Sequence, residues 1–171
     1  MGHIYRYYVE GECEQHFLDT FKSGKNPKFK AGKVEVFNVL TEKITKMRLI
    51  NFSKSTSLVL VYDTDKSPTD IFEKNLELLE NNPNISEIIH VQSVNNFEEE
   101  LVYSCDIKNI NELFGTESAK EFKTKFISSN IETKLKKFGF DFKKMWSRKA
   151  SREVFLKHKQ NGKQIKLEKY K

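Results

Sequence analysis

The run SLVLVY at 57–62 constrains this chain more than any other segment. Its apolar side chains sit at consecutive positions, so both faces of the segment must leave water, and it is too short to be a buried helix. A central strand of a parallel sheet meets both conditions. Three further stretches have strand composition, β-branched and aromatic: IYRYYV at 4–9, VEVFNVL at 34–40 and SEIIHVQS at 86–93. Between them the periodicity turns helical. Residues 14–22 place Phe17, Leu18 and Phe21 on one face. Thr41 opens a predicted helix over 41–52 with Ile44, Met47 and Leu49 inward. Pro68 opens another over 68–80, with Ile71, Phe72, Leu76, Leu78 and Leu79 as its apolar residues, and Asn81-Asn82-Pro83 breaks it. Strands alternating with helices predict an α/β, Rossmann-like fold: a four-stranded parallel sheet flanked by helices.

Beyond Asn96 the alternation stops. Short helical segments follow in FEEELVYSC, NINELFG, SAKEFKTKFI, ETKLKKFGF and DFKKMWS, and QNGKQIKLEKYK is an edge strand or a frayed tail. The expected division is an α/β domain over 1–95 and a basic, mainly helical extension over 96–171 packed on it. Charge divides in the same way. Residues 1–95 carry 12 Lys and Arg against 13 Asp and Glu, whereas 134–171 carry 14 basic residues against Asp141, Glu153 and Glu168 alone. Such a segment attracts polyanions, and nucleic acid is the expected partner. The candidate contacts are Lys136, Lys137, Lys143, Lys144, Arg148, Lys149 and Arg152, with Trp146 either stacking on a base or anchoring the last helix.

Several classes are set aside. No apolar run approaches the roughly 18 residues of a bilayer span, and MGHIYRYYVEGE has no signal-peptide core, so a cytoplasmic protein with no membrane partner is expected. Cys13 and Cys105 form no CxxC, which argues against a disulfide scaffold or a cysteine-built zinc site. Cys13 lies among acids that oppose its ionisation, and a nucleophilic role is not expected of it. His90, inside the fourth strand, reads as a packed or hydrogen-bonded side chain.

Open parallel sheets bind ligands beyond the carboxyl ends of their strands. Here the first strand runs into Glu10, Glu12 and Glu14, and the third ends at Asp63 and Asp65. Carboxylates gathered at low dielectric repel, and a hard divalent cation with oxygen ligands relieves that cost. Polar loop composition alone accounts for Glu12 and Asp70. Convergence of Glu10, Asp63 and Asp65 on one magnesium is the sharper expectation.

These motifs carry a resemblance. YYVEGECE, followed some fifty residues later by LVLVYDTD, resembles the TOPRIM domain of topoisomerases, bacterial primases and OLD-family nucleases. Its E-G-E-x-E spacing is similar to an element of OLD nucleases and RloB-like defence proteins, with Cys13 where Thr is common, and SVNNFEEEL at 93–101 loosely resembles a further RloB-like stretch. The likeness covers about residues 4–100, and the extension resembles no family. It implies a Mg²⁺-dependent nuclease or related phosphodiester-cleaving enzyme, with Mn²⁺ able to substitute, in a setting of phage or mobile-element defence. Glu10 would be the acid/base or metal-binding glutamate, Glu14 a second ligand, Asp63 and Asp65 the magnesium pair, and Glu98 a further acid. Such enzymes also use a basic residue, for which Lys66 and Lys33 are the candidates. No GxxxxGK[ST] is present, so an associated ATPase would be a separate chain. Two alternatives remain: a non-catalytic nucleic-acid-binding subunit that uses the basic region, and a receiver-like signalling domain. The latter is disfavoured by the absence of an adjacent Asp pair and of a fifth strand with its lysine.

Overall fold

The computed structural model describes residues 4–171. Four strands, β1 (Ile4–Val9), β2 (Gly32–Val36), β3 (Thr56–Asp63) and β4 (Ile85–Ser93), form one all-parallel sheet in the order β2-β1-β3-β4. The sheet is flanked by helices, as the alternating pattern predicts. β3 lies between β1 and β4, and each of its residues from Thr56 to Tyr62 is buried, which is why its sequence is apolar at successive positions. Pairing of Val9 with Val61 and of Val9 with Val36 brings the ends of β1, β2 and β3 to one edge.

Helices α1 (Glu12–Lys22), α2 (Lys46–Ile50) and α3 (Asp70–Glu80) connect the strands, and α4 (Phe97–Ser104), α5 (Ala119–Ser128), α6 (Ile131–Lys137) and α7 (Glu153–Leu156) follow the sheet. Two cores result. The Tyr7, Val9, Val59, Val61 and Ile89 face packs with Phe17, Leu18 and Phe21 of α1, and with Phe97, Phe122, Phe126, Leu135, Met145 and Trp146 from beyond residue 95. The other face, with Tyr8, Leu58, Leu60 and Tyr62, packs with Phe72, Leu76 and Leu79 of α3 and with Phe155. The extension therefore completes both layers.

Four expectations need correction. The helix over 41–52 shrinks to α2, because 37–45 is turn and irregular chain; its Met47 points to solvent at 66% exposure. The second strand ends at Val36, and Phe37, Val39 and Leu40 reach the core from irregular chain. No helix forms at DFKKMWS, where Asp141 initiates turns by accepting the Lys143 N–H at 2.8 Å. The terminal segment is neither an edge strand nor frayed: Lys166 makes a single antiparallel bridge to Phe29, and a 3-10 turn spans Glu168–Tyr170. Among the described residues no helix is long and apolar enough to cross a membrane.

Candidate active site

β1 runs out into Glu10-Gly11, and α1 begins at Glu12, so the turn between them places its acids at the carboxyl edge of the sheet. Gly11 leaves room for this turn: a Cβ there would stand 3.2 Å from Glu14 Oε2. Glu10 reaches across to the neighbouring strand, where its Oε2 accepts the Asp63 backbone N–H at 3.2 Å. A cavity of about 320 Å³ opens over this edge, lined by Glu10, Glu14, Asp63 and Glu98 among others. Five acidic residues, Glu10 just past β1, Glu12 and Glu14 of α1, Asp63 of β3 and Glu98 of α4, thus line one depression.

Their electrostatics are unfavourable as they stand. Burial, reinforced by Glu10, Glu14 and Glu98, pushes the Asp63 carboxyl up to about 9. Its Oδ1 is buried with no hydrogen-bond partner among the described residues. The neighbouring Ser93 hydroxyl opposes this rise, and it accepts the Trp146 indole N–H at 3.3 Å. Glu14 is pushed up to about 7, first by burial and then by Glu10 and Glu98. Cys13 rises to about 12 through burial and the adjacent acids, which makes it inert as a nucleophile.

Asp65 and Lys66 stand apart from this cluster. β3 ends at Asp63, Thr64 is buried and ties its hydroxyl to the Ser93 carbonyl at 2.9 Å, and the chain then turns outward, leaving Asp65 and Lys66 exposed and off the cavity wall. The expectation that positions 10, 63 and 65 converge is corrected: Glu10 and Asp63 share the cavity wall with Glu12, Glu14 and Glu98, and Asp65 lies off it. Lys33 is corrected as well: it pairs in register with Arg6, toward the opposite end of the sheet, and contacts Glu35 at 3.2 Å. The cation that does line the cavity is Lys123 of α5, 3.7 Å from Glu98. Nothing in its local sequence marks it, since its position depends on Phe122 and Phe126 docking α5 against the α1 layer.

Donor chemistry and the orphaned Asp63 oxygen suit a hard divalent cation, for which Glu10, Glu12, Glu14, Asp63 and Glu98 are the available carboxylate donors. They are not drawn together into a finished cage: among the described residues, no group of three or more His, Cys, Asp or Glu side chains stands ready to hold a metal ion.

Of the predicted nucleic-acid contacts, Lys136, Lys137, Lys143, Lys144, Lys149 and Arg152 are exposed. Trp146 is a correction. It is fully buried against Phe17, Phe29 and Phe97 and offers no face to a base. Arg148 is held by the buried Glu100 carboxylate at 2.8 Å. Arg152 lies beside the outward loop, donating to the Ser67 hydroxyl at 3.4 Å. His90 is packed and bonded, its Nδ1 3.0 Å from the Tyr62 hydroxyl. No family model, no curated protein and no solved structure matches this chain.

Proposed function

We propose that this protein is a Mg²⁺-dependent phosphodiester-cleaving enzyme acting on nucleic acid, of the kind its TOPRIM-like motifs imply. The observation that carries the reading is the placing of Glu10, Glu12, Glu14, Asp63 and Glu98 on the wall of one cavity, with the Asp63 Oδ1 buried and unpartnered. A folded chain keeps such a cluster at a cost to stability, and clusters of this kind gather where chemistry uses them. A bound divalent cation supplies charge neutralisation and polarisation of a phosphoryl oxygen. The chain's own residues supply the rest. Asp63, Glu10 and Glu14 orient that cation, Glu98 accepts or returns a proton at its carboxylate, and Lys123 places a positive charge beside a phosphate. The exposed lysines of the extension hold the flanking backbone. Defence against invading DNA and a separately encoded ATPase remain part of this proposal on resemblance alone.

One observation favours a second reading, that of a non-catalytic nucleic-acid-binding subunit: the carboxylates are not preassembled in ligating geometry, while the lysines are exposed. Incubation of labelled single- and double-stranded DNA and RNA with Mg²⁺ or Mn²⁺ separates the two. Cleavage that chelation stops and Asp63→Asn abolishes, with binding retained, is the expected outcome. Binding with no cleavage of any substrate under either metal assigns the protein to the second class.

A further inference from the structure

Beside the acid cavity, between α4 and the 3-10 turn Ile110–Leu113, runs a second depression of about 610 Å³. Glu98 belongs to the walls of both, so the two adjoin. The second is unlike the first in its surface. Val102 and Ile110 give it apolar walls, and the Tyr103 ring lies open to solvent at 41% exposure. The Arg148 guanidinium lies over that ring, 4.3 Å from its centroid. Arg148 is not free to wander: Glu100 accepts from its Nη2 at 2.8 Å and its Nε at 3.2 Å, and the Glu99 carbonyl accepts from Nη2 at 3.4 Å. Aromatic ring and guanidinium form a platform whose cationic half is already held in place.

We propose that this groove is a base-binding subsite, which seats an unpaired nucleobase of a single strand against the Tyr103–Arg148 platform and so presents the adjoining phosphodiester to the acid cavity. This assignment rests on the phosphodiester reading for its orientation and deepens it by naming a single-stranded substrate. Charge argues for a base here over a phosphate. Lys108 and Arg148 are balanced by Glu98 and Glu99, so the groove is no anion track, and its apolar walls with one open ring suit a flat, uncharged heterocycle. A duplex keeps its bases stacked inside and cannot use the site.

The test is fluorescence anisotropy with single-stranded DNA and RNA of about 12 nucleotides, using the Asp63→Asn protein in Mg²⁺ so that the strand stays intact. Tyr103→Ala, added to that protein, is expected to weaken binding of at least one of these strands roughly tenfold, while Tyr103→Phe keeps the affinity. An abasic strand of equal length is expected to bind equally to the Tyr103→Ala and parent proteins. Unaltered affinity in Tyr103→Ala overturns the subsite, as does equal binding of abasic and normal strands by the parent, or no binding of either normal strand. Failure of the enzyme reading registers separately: the wild type then cleaves nothing, yet the Tyr103 dependence of binding persists.

Discussion

Asp63 bears most of the electrostatic conflict in this molecule. Its position at the end of a fully buried strand is fixed by β3, so it cannot relax outward as Asp65 does one turn of chain later. His90 shows the opposite arrangement, a titratable group whose conflict is resolved by staying neutral. It packs on His158 with ring centroids 4.7 Å apart and meets the Tyr62 hydroxyl, and burial, with His158 adding to it, pulls its pKa down to about 4. Because the folded value lies below the ordinary 6.5, the unfolded chain binds the extra proton first as pH falls. The contribution of neutral His90 is therefore complete above pH 6.5 and is lost progressively between 6.5 and about 4. Urea unfolding across that range should show wild type losing on the order of 3 kcal/mol more than His90→Gln. Parallel acid limbs for the two proteins would mean that His90 titrates normally.

Among the elements, α4 joins the sheet to the extension, and Glu100 is the residue that does so. Its fully buried carboxylate accepts the Val94 N–H at 2.9 Å, the Trp146 N–H at 3.0 Å and the Arg148 guanidinium. Trp146 adopts a left-handed backbone, φ 54°, which a bulky residue holds only when its surroundings dictate it. Here the Glu100 acceptor, the Ser93 hydroxyl and the aromatic shell all do. Glu100→Ala strands two buried N–H groups and an arginine at once, and a loss of about 3 kcal/mol in chemical denaturation is expected. A loss below about 0.5 kcal/mol would show that the extension is held by packing alone.

None of this linkage was legible in the sequence, where Glu100 is the third of three consecutive glutamates and looks like a helix N-terminal charge. The strands were legible because local periodicity carries them. Glu10 and Asp63 were legible because each adjoins a strand end, and Glu14 and Glu98 only through the motif resemblance. Lys123, Tyr103 and the burial of Trp146 were not, since each depends on contacts between segments distant in the chain, which no local pattern encodes. α2 failed for a related reason: Asn75 claims the backbone of 39–44 through Val39, Glu42 and Ile44, and that loop displaces the helix expected there.

Taken whole, the molecule puts its net positive charge on a segment that is also structural. Leu135, Met145, Trp146, Phe155 and Ile165 are all buried, and Lys166 reaches inward to the Lys143 carbonyl at 3.3 Å, its ammonium pulled down to about 8 by desolvation. Removing everything from residue 134 onward therefore unfolds the protein and says nothing about binding. The electrostatic role has to be tested at side chains that contribute charge without packing, and Lys136, Lys143 and Lys144 are exposed. Changing these three to Gln should leave the melting temperature within a degree or two. If each neutralises one phosphate of a single strand, the slope of log affinity against log salt should fall in magnitude by about 2. A slope unchanged by the triple substitution would move the phosphate track elsewhere, toward Lys66, Lys123 and Arg152 at the carboxyl edge of the sheet. The strand would then run across the acid cavity without touching α6.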